Sequence, residues 1–157
     1  LYTVDDLDNA LHAMQDKIDT LKKSASSKQS RIKEVNELLR MVDYYKSGKP
    51  AADKLKSIRF EKSRQKYKSE HDNELRTFYM AERKLKPYFK DGKLPITAWR
   101  RERERLGQEY KDIQTELSPL YADVKRLWAI HYNIYEVQHE QERQQIQLRS
   151  RKNEIEL

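Results

Sequence analysis

The sequence predicts an all-α protein: an elongated antiparallel coiled-coil hairpin of two long helices, with a small helical cap at the reversal. Apolar residues recur at alternating intervals of four and three in two long stretches, and only 3 Gly and 4 Pro occur in 157 residues. A 3.5-residue repeat keeps an apolar seam on one side of a helix and requires a partner for it. Two such stretches joined by a reversal supply each other's partner. The 38% charged content fits, since a seam buries only a stripe of each helix.

The first heptad stretch predicts a long helix over residues 1–46. Thr3 is the expected N-cap, and Asp6 in the first turn complements the helix dipole. Gly48 suits the position just past a helix C-terminus and Pro50 the first position of a following helix, so the helix is expected to end before them. The seam positions are Leu7, Leu11, Met14, Ile18, Leu21, Ala25, Lys28, Ile32, Val35, Leu39 and Val42.

Residues 47–95 are predicted to form a basic helical cap that closes with a Gly-Lys-Leu-Pro turn. The apolar residues lose their heptad order here, which favours two or three short helices with breaks near 59–62 and 71–73. Pro87 is expected to end or kink the last of them. The residues expected to pack the cap are Leu55, Ile58, Phe60, Tyr67, Leu75, Phe78, Tyr79, Leu85, Tyr88 and Phe89.

Residues 96–157 are predicted to form the second long helix with a polar C-terminal tail. Thr97 is the expected N-cap, and Pro119 is expected to bend or split the helix because it removes a backbone donor. After Val137 the chain is rich in Gln, Glu and Arg, so this tail either frays or pairs with something outside the hairpin. The seam positions are Trp99, Arg103, Leu106, Tyr110, Ile113, Leu117, Leu120, Val124, Leu127, His131 and Ile134.

Positive charge is concentrated in the middle of the chain. Residues 46–105 carry 19 Lys and Arg against 9 Asp and Glu, whereas both flanking stretches are slightly acidic. Positive charge that is concentrated in one region indicates a polyanionic partner more strongly than the overall pI does. The candidate nucleic-acid-binding residues are Lys62, Arg64, Lys66, Lys68, Arg83, Lys84, Lys86, Lys93, Arg100 and Arg101. The competing interpretation is a solvated surface laced with salt bridges.

Aromatic residues accompany these cations in the sequence, and two roles are open to them. They suit stacking on single-stranded bases. They suit the core of the cap equally well, and that is the preferred interpretation. The residues concerned are Tyr67, Tyr79, Tyr88 and Trp99.

No catalytic residue, metal site or cofactor is predicted. His12 and His139 lie off the seam, and His131 is expected to be a buried or rim residue. No HExxH, Gly-rich phosphate loop or GxSxG motif occurs, and Tyr110 is assigned to packing. The absence of Cys excludes disulfides and thiolate metal sites and fits a reducing compartment. No apolar run approaches 18 residues, so no membrane partner is expected.

Three segments in a fixed order carry a family resemblance. They are KSRQKYKSEHDNEL (62–75), the turn GKLP (92–95) and WRRERERLGQEYKDIQTEL (99–117), preceded by the Tyr-rich helix end MVDYYKSG (41–48). With them, the chain from about Asp53 to Val137 resembles the helical C-terminal region of relaxases, the mobilization nucleases of Gram-positive conjugative and mobilizable elements. Pro119 and the Gln-rich tail depart from that pattern.

The resemblance implies a parent enzyme that nicks one strand of transfer-origin DNA through a tyrosine, with a metal held by histidines. No position here matches those motifs, so no catalytic residue is carried over and the active part is expected upstream of Leu1. The expected function is a non-catalytic accessory domain in conjugative DNA transfer in the bacterial cytoplasm. Its expected partners are DNA backbone, transfer-machinery proteins or a second copy through the coiled coil. The alternative is a coiled-coil protein–protein adaptor or dimerisation module unrelated to DNA.

Overall fold

The computed structural model describes residues 3–156, with side chains as far as Ile155, and this part of the chain is all-α. Residues 3–156 form, in order, four α-helices and one 3₁₀ turn: α1 (Val4–Ser57), α2 (Glu61–Glu70), α3 (Asp72–Leu85), the 3₁₀ turn (Lys86–Tyr88) and α4 (Ile96–Glu156). The chain divides into two compact units. Unit 1 comprises Leu1–Ala25 and Lys111–Leu157, and unit 2 comprises Ser26–Tyr110. None of the described helices has an apolar stretch sufficient to cross a bilayer.

Unit 2 closes around two apolar clusters on α3. Leu75, Phe78, Ala81 and Leu85 recur three and four residues apart, so α3 buries one continuous face. The first cluster consists of Val35, Leu39, Met41, Val42, Ala81, Leu85 and Trp99. The second consists of Ala51, Ala52, Leu55, Leu75 and Phe78. Tyr45 packs against both, and its ring stacks on Phe78 with centroids 5.0 Å apart.

The predicted end of the first helix at residue 46 is wrong, because α1 continues through Gly48 and Pro50 to Ser57. Burial of Ala51, Ala52 and Leu55 against α3 favours the helix beyond the proline. Gly48 serves helix packing here. A Cβ at that position would lie 2.6 Å from Cβ of Phe78 and 3.1 Å from the carbonyl oxygen of Glu74.

In unit 1, the contacts between α1 and α4 run antiparallel. Nζ of Lys17 lies 3.9 Å from a carboxylate oxygen of Glu116, and Nε2 of His131 lies 3.2 Å from Oδ1 of Asp8. The residue numbers of the contacts therefore increase along α4 as they decrease along α1. The buried residues are Leu7, Leu11, Ile18, Ala25, Ile113 and Leu117, all of them predicted seam positions.

Local signals predicted most of the helix ends. The Thr3 N-cap is confirmed: its hydroxyl accepts from the backbone N–H of Asp6 at 3.1 Å, and the Asp6 carboxylate accepts from the Thr3 N–H at 3.0 Å. The bond from the Thr3 backbone N–H, and next the Thr3 hydroxyl, hold the pKa of the Asp6 carboxyl below its ordinary value. The breaks before α2 and at His71, and the end of α3 before Pro87, are also confirmed.

Two predictions for α4 need correction. Thr97 is not the N-cap, because α4 begins at Ile96 and the carbonyl of Pro95 already accepts from the N–H of Trp99 at 3.0 Å. Pro119 does not split the helix, which continues to Glu156. The lost donor of one proline costs a single backbone bond in a helix with many turns on either side.

Candidate nucleic-acid interface

All ten predicted cations are exposed, and all ten belong to unit 2. Unit 2 carries 23 Lys and Arg against 13 Asp and Glu, a net charge of +10. The cations lie on α2, at the end of α3, on the connection to α4 and in the first two turns of α4. The structure therefore brings them into one unit, but it distributes them over four elements.

Among the elements that carry these cations, helix α2 packs least against the core of unit 2. It has no buried residue. Its anchor is the half-buried Tyr67, whose ring stacks on His71 with centroids 4.1 Å apart and lies 5.3 Å from Nζ of Lys54. Helical spacing places Lys62 and Lys66 on one side and Arg64 and Lys68 on the other. Within the described part of the chain these four side chains form no ion pair, so their charges face solvent.

The groove between α2 and α3 has a mixed charge. It measures about 480 Å³, and Lys68, Arg76 and Arg83 line it together with Asp72 and Glu82. Arg76 donates to Asp72 at 2.6 Å, so that charge is satisfied within α3. Lys68 and Arg83 therefore line the same groove, which their spacing in the sequence did not predict.

Lys84 is the exception among the ten, since its Nζ lies 3.7 Å from a carboxylate oxygen of Glu37 on α1. Lys84 therefore fits the competing interpretation, a solvated surface with salt bridges. Lys86 is exposed in the 3₁₀ turn and forms no ion pair among the described residues.

The connection before α4 is a two-residue reversal that sets two lysines opposite each other. Asp91 and Gly92 have φ of 51° and 74°, and Lys90 and Lys93 exchange two backbone hydrogen bonds of 2.9 Å. Paired residues of this kind project their side chains to the same side, and like charges so placed repel each other. An anion bound there relieves that repulsion. Lys90 is a candidate that the sequence reasoning left out, although the Asp-Gly dipeptide signals the reversal.

The cations at the start of α4 divide into two groups. Arg100 and Arg101 are exposed and form no ion pair among the described residues. Arg103 donates to Asn36 at 3.5 Å and Arg105 to Glu109 at 3.0 Å, so both are held within unit 2. Among the described residues, the first pair therefore has the fewer contacts within unit 2.

Two acids of α4, Glu102 and Glu109, support the packing of α1 on α4 in unit 2. Arg31 donates to both carboxylate oxygens of Glu102, at 2.6 and 3.1 Å, and Lys28 donates to Glu109 at 2.9 Å. The bonds from Arg31 hold the pKa of Glu102 below its ordinary value, and those from Lys28 and Arg105 do the same for Glu109. The bonds to Glu102 and then to Glu34 raise the pKa of Arg31.

The aromatic residues proposed for base stacking are mostly part of the core. Trp99 is buried, Tyr67 and Tyr79 are half-buried, and Tyr88 is exposed but contacts Trp99 edge-on at 5.3 Å. Phe60, which was expected to pack the cap, is instead 78% exposed. It lies on the connection between α1 and α2, where α2 offers no apolar face to cover it. In the sequence, the position of Phe60 outside the helical periodicity was the only sign that its side chain would be exposed.

The remaining titratable groups form no recognisable reactive cluster in the range from Thr3 to Ile155. There, no set of three or more His, Asp and Glu side chains is arranged to hold a metal ion. His131 is half-buried beside Asp8, as the seam position indicated, and Nδ1 of His12 bonds to the carbonyl of Asp8 in its own helix. No family model matches the chain, and neither the curated proteins nor the solved structures give a significant match.

Proposed function

We propose that unit 2 binds the phosphate backbone of DNA without sequence preference. The observation that carries this proposal is the contrast between paired and unpaired cations. Arg31, Lys28 and Arg105 form ion pairs with acids inside unit 2, whereas the exposed cations of α2 form no ion pair among the described residues. Lys and Arg that neutralise phosphates release condensed counterions, and this supplies affinity independent of sequence.

The sequence resemblance gives this binding a biological setting. A domain that holds DNA and carries no predicted catalytic residue suits an accessory role in a relaxase of conjugative DNA transfer, in the bacterial cytoplasm. The nicking chemistry then belongs to another part of the parent protein. Other components of the transfer machinery are further proposed partners.

We further propose that α1 and α4 pair as an antiparallel coiled-coil hairpin. Support comes from the burial of heptad positions on both helices, among them Val35, Leu39, Leu106 and Ile113. The cross-helix contacts in each unit also follow an antiparallel order, as in Lys28 with Glu109 and Arg31 with Glu102.

A salt titration of DNA binding tests the main proposal. The variant replaces Lys62, Arg64, Lys66 and Lys68 with Ala; α2 should stay helical because Ala is the best helix former and none of the four is buried. Affinity for single- and double-stranded DNA is measured by fluorescence anisotropy from 50 to 200 mM salt. If all four contact phosphates, the log–log slope should fall by about 3.6 for double-stranded DNA and by about 2.8 for single-stranded DNA.

A matched variant in unit 1 controls for the loss of four positive charges. Lys23, Lys111, Lys125 and Lys152 are exposed there and form no ion pair among the described residues, and replacing them with Ala should leave the slope unchanged. Equal slopes for the two variants, or no binding by the wild-type chain at 50 mM salt, contradict the proposal.

Phe60→Ala tests whether unit 2 stacks on single-stranded bases. Selective loss of affinity for single-stranded DNA indicates base stacking, which contributes about 1–3 kcal/mol per base.

A second candidate function is a protein–protein adaptor, and a specific observation favours it. Large apolar side chains on α4 in unit 1 are exposed, among them Trp128 and Tyr132. A surface of this kind marks a protein interaction site more often than a nucleic-acid site. Measuring the molar mass across a range of concentrations separates a monomeric DNA binder from an associating chain.

A further inference from the structure

One face of α4 in unit 1 is aromatic and exposed. Starting at Tyr121, the residues at alternating steps of four and three share one side of the helix. On this side Tyr121, Trp128, Tyr132 and Tyr135 are 44%, 56%, 62% and 51% exposed. We call the whole set the aromatic face, and its members, all exposed, are Tyr121, Lys125, Trp128, Tyr132, Tyr135, His139, Glu142 and Ile146.

The aromatic face is separate from the seam that α4 packs against α1. Helical spacing places it about a quarter turn away from seam positions such as Ile113 and Leu117, which are buried. A face with heptad spacing is normally covered by another helix, and the described part of α1 leaves this one exposed. The aromatic face therefore suits an occupant other than α1.

The polar groups of this face narrow the chemistry of its occupant. The hydroxyl of Tyr135 lies 2.6 Å from Nε2 of His139, so its ring can be covered without leaving that hydroxyl unpaired. Lys125 forms no ion pair among the described residues, and the carboxylate of Glu142 lies 3.9 Å from Nδ1 of His139, beyond hydrogen-bond distance. An occupant that fits therefore carries apolar or aromatic side chains, an acid near Lys125 and a base near Glu142.

A second copy of the face meets these requirements when it runs antiparallel. With a two-fold axis midway between residues 133 and 134, Tyr132 lies opposite Tyr135 of the second copy. Trp128 lies opposite its His139. Aromatic rings that meet in this way attract each other beyond the contribution of the area that they bury. The centre of such a contact is therefore aromatic on both sides.

The same register pairs the two charges of the face. Lys125 lies opposite Glu142 of the second copy, and the two-fold axis repeats this pair at the other end. A parallel contact sets Lys125 against Lys125. Moving the antiparallel register by one heptad sets Lys125 against Arg149 or against Tyr135. Of these four arrangements, one pairs Lys125 with an acid, so the charges select it.

The remaining charged residues between positions 121 and 146 are compatible with this register. Asp123 pairs with Arg126 at 2.7 Å and Glu140 with Arg143 at 3.5 Å, each within α4. Glu136 lies at the edge of the contact, where helical spacing sets an alanine of the second copy opposite it. Like charges therefore do not lie opposite each other.

We propose that the aromatic face binds the same face of a second copy of the chain, with the two α4 helices antiparallel. The contact is centred between Tyr132 and Tyr135 and ends at its margins with Tyr121 opposite Ile146. The inference rests on the second candidate function, protein binding by unit 1, and names a second copy as the partner. It does not depend on DNA binding by unit 2.

Disulfide trapping tests the orientation and the register, since the natural chain has no Cys. Tyr121→Cys and Ile146→Cys change only the margins of the contact, and the two positions are about 37 Å apart along one helix. They are prepared as separate proteins, one with a size tag, and are oxidised alone and mixed. We expect a disulfide-linked dimer in the mixture and little in either protein alone.

Leu148→Cys is the matched control for trapping, because Leu148 is as exposed as Ile146, at 64%, but lies on the opposite side of α4. Mixed with Tyr121→Cys, it should form little linked dimer. A Tyr121→Cys protein that links mainly to itself indicates a parallel contact and overturns the proposal. Equal linking of Tyr121→Cys to the Ile146→Cys and Leu148→Cys proteins overturns it as well.

Charge exchange tests the pair of Lys125 with Glu142 independently of trapping. Sedimentation equilibrium should show a dimer of the wild-type chain. Lys125→Glu sets two acids against each other at two symmetric places, and Glu142→Lys does the same with two bases, so each should weaken the dimer about tenfold or more. Mixing the two variants should restore it, because each supplies the charge that the other needs. Lys23→Glu, at an exposed position of α1, should leave the dimer unchanged.

Circular dichroism checks that each variant remains helical. A dimer that Lys125→Glu and Lys23→Glu weaken equally, or a mixture of the two charge variants that stays monomeric, overturns the proposal. A wild-type chain that is monomeric at every concentration also overturns it. That last result leaves the second candidate function standing, since a different protein can still cover the aromatic face.

Discussion

Unit 2 and unit 1 are built from parts of the same two long helices, yet they bury their apolar residues to different degrees. Unit 2 adds α3, and its core contains Val35, Val42 and Leu85 at 2% exposure or less. In unit 1 the exposed apolar residues of α4 outnumber the buried ones, and they begin with Tyr121 and Trp128. A third helix closes a core, whereas two helices bury only the stripe between them.

The two units also differ in charge. Unit 2 has a net charge of +10, whereas unit 1 carries 10 Lys and Arg against 13 Asp and Glu, a net charge of −3. Unit 2 therefore combines a closed apolar core with an unsatisfied positive surface, and unit 1 combines an open apolar surface with balanced charge. The contrast supports the two candidate functions proposed above, polyanion binding by unit 2 and protein binding by the apolar surface of unit 1.

The largest expected contrast is in the cost of truncating an apolar side chain. Leu85→Ala removes a fully buried side chain of unit 2, and we expect a loss of about 2–5 kcal/mol in the free energy of unfolding. Ile146→Ala on α4 of unit 1, where the side chain is 64% exposed, should change it by no more than about 0.5 kcal/mol. Urea unfolding followed by circular dichroism measures both. Equal losses contradict the difference between the units.

The seams could be predicted because helix periodicity is a local property. Positions such as Ile18 and Val35 on α1, and Leu106 on α4, were named from spacing alone and are buried. The fading of burial along α4 could not be predicted from its periodicity, which continues through Leu127 and Ile134. Burial there depends on the side chains that α1 presents, and residues of α4 beyond Tyr135 have no cover in the described chain.

The continuation of α1 to Ser57 could not be predicted, because it depends on a helix that follows later in the chain. Gly48 and Pro50 have the local chemistry of a helix end, and the packing of Leu55 on α3 overrides it. The same limit applies to the candidate site. The sequence located the cations, but the partners that satisfy Lys84 and Arg103 lie on α1 and are far away in the sequence.

A smaller contrast is expected between two helical glycines. Gly48→Ala sets a methyl group against Cβ of Phe78, which cannot move without shifting α3, and we expect a loss of about 1–3 kcal/mol in stability. Gly107→Ala on α4 meets nothing within 4 Å and should gain about 0.5–1 kcal/mol from helix propensity. Thermal unfolding of the two variants checks the signs. A stabilising Gly48→Ala contradicts the close packing of α1 on α3.

The smallest expected effect is the acid sensitivity that the cross-helix ion pairs give to unit 2. Arg31 lowers the pKa of Glu102 in the folded chain, so the unfolded chain binds this proton more readily. Stability from the pair is present at neutral pH and is lost as pH falls from about 5 through the folded pKa. Both side chains are partly exposed, so the loss should be a few tenths to about 1 kcal/mol.

Glu102→Gln should therefore flatten the pH dependence of unfolding between pH 7 and pH 3, measured by urea titration at each pH. Arg31 keeps an acid in this variant, because it also donates to Glu34 at 3.0 Å. Glu104→Gln is the matched control, since Glu104 is exposed on the same helix and forms no ion pair among the described residues. If both variants flatten the profile equally, the bidentate bond from Arg31 does not distinguish Glu102 from an ordinary surface acid.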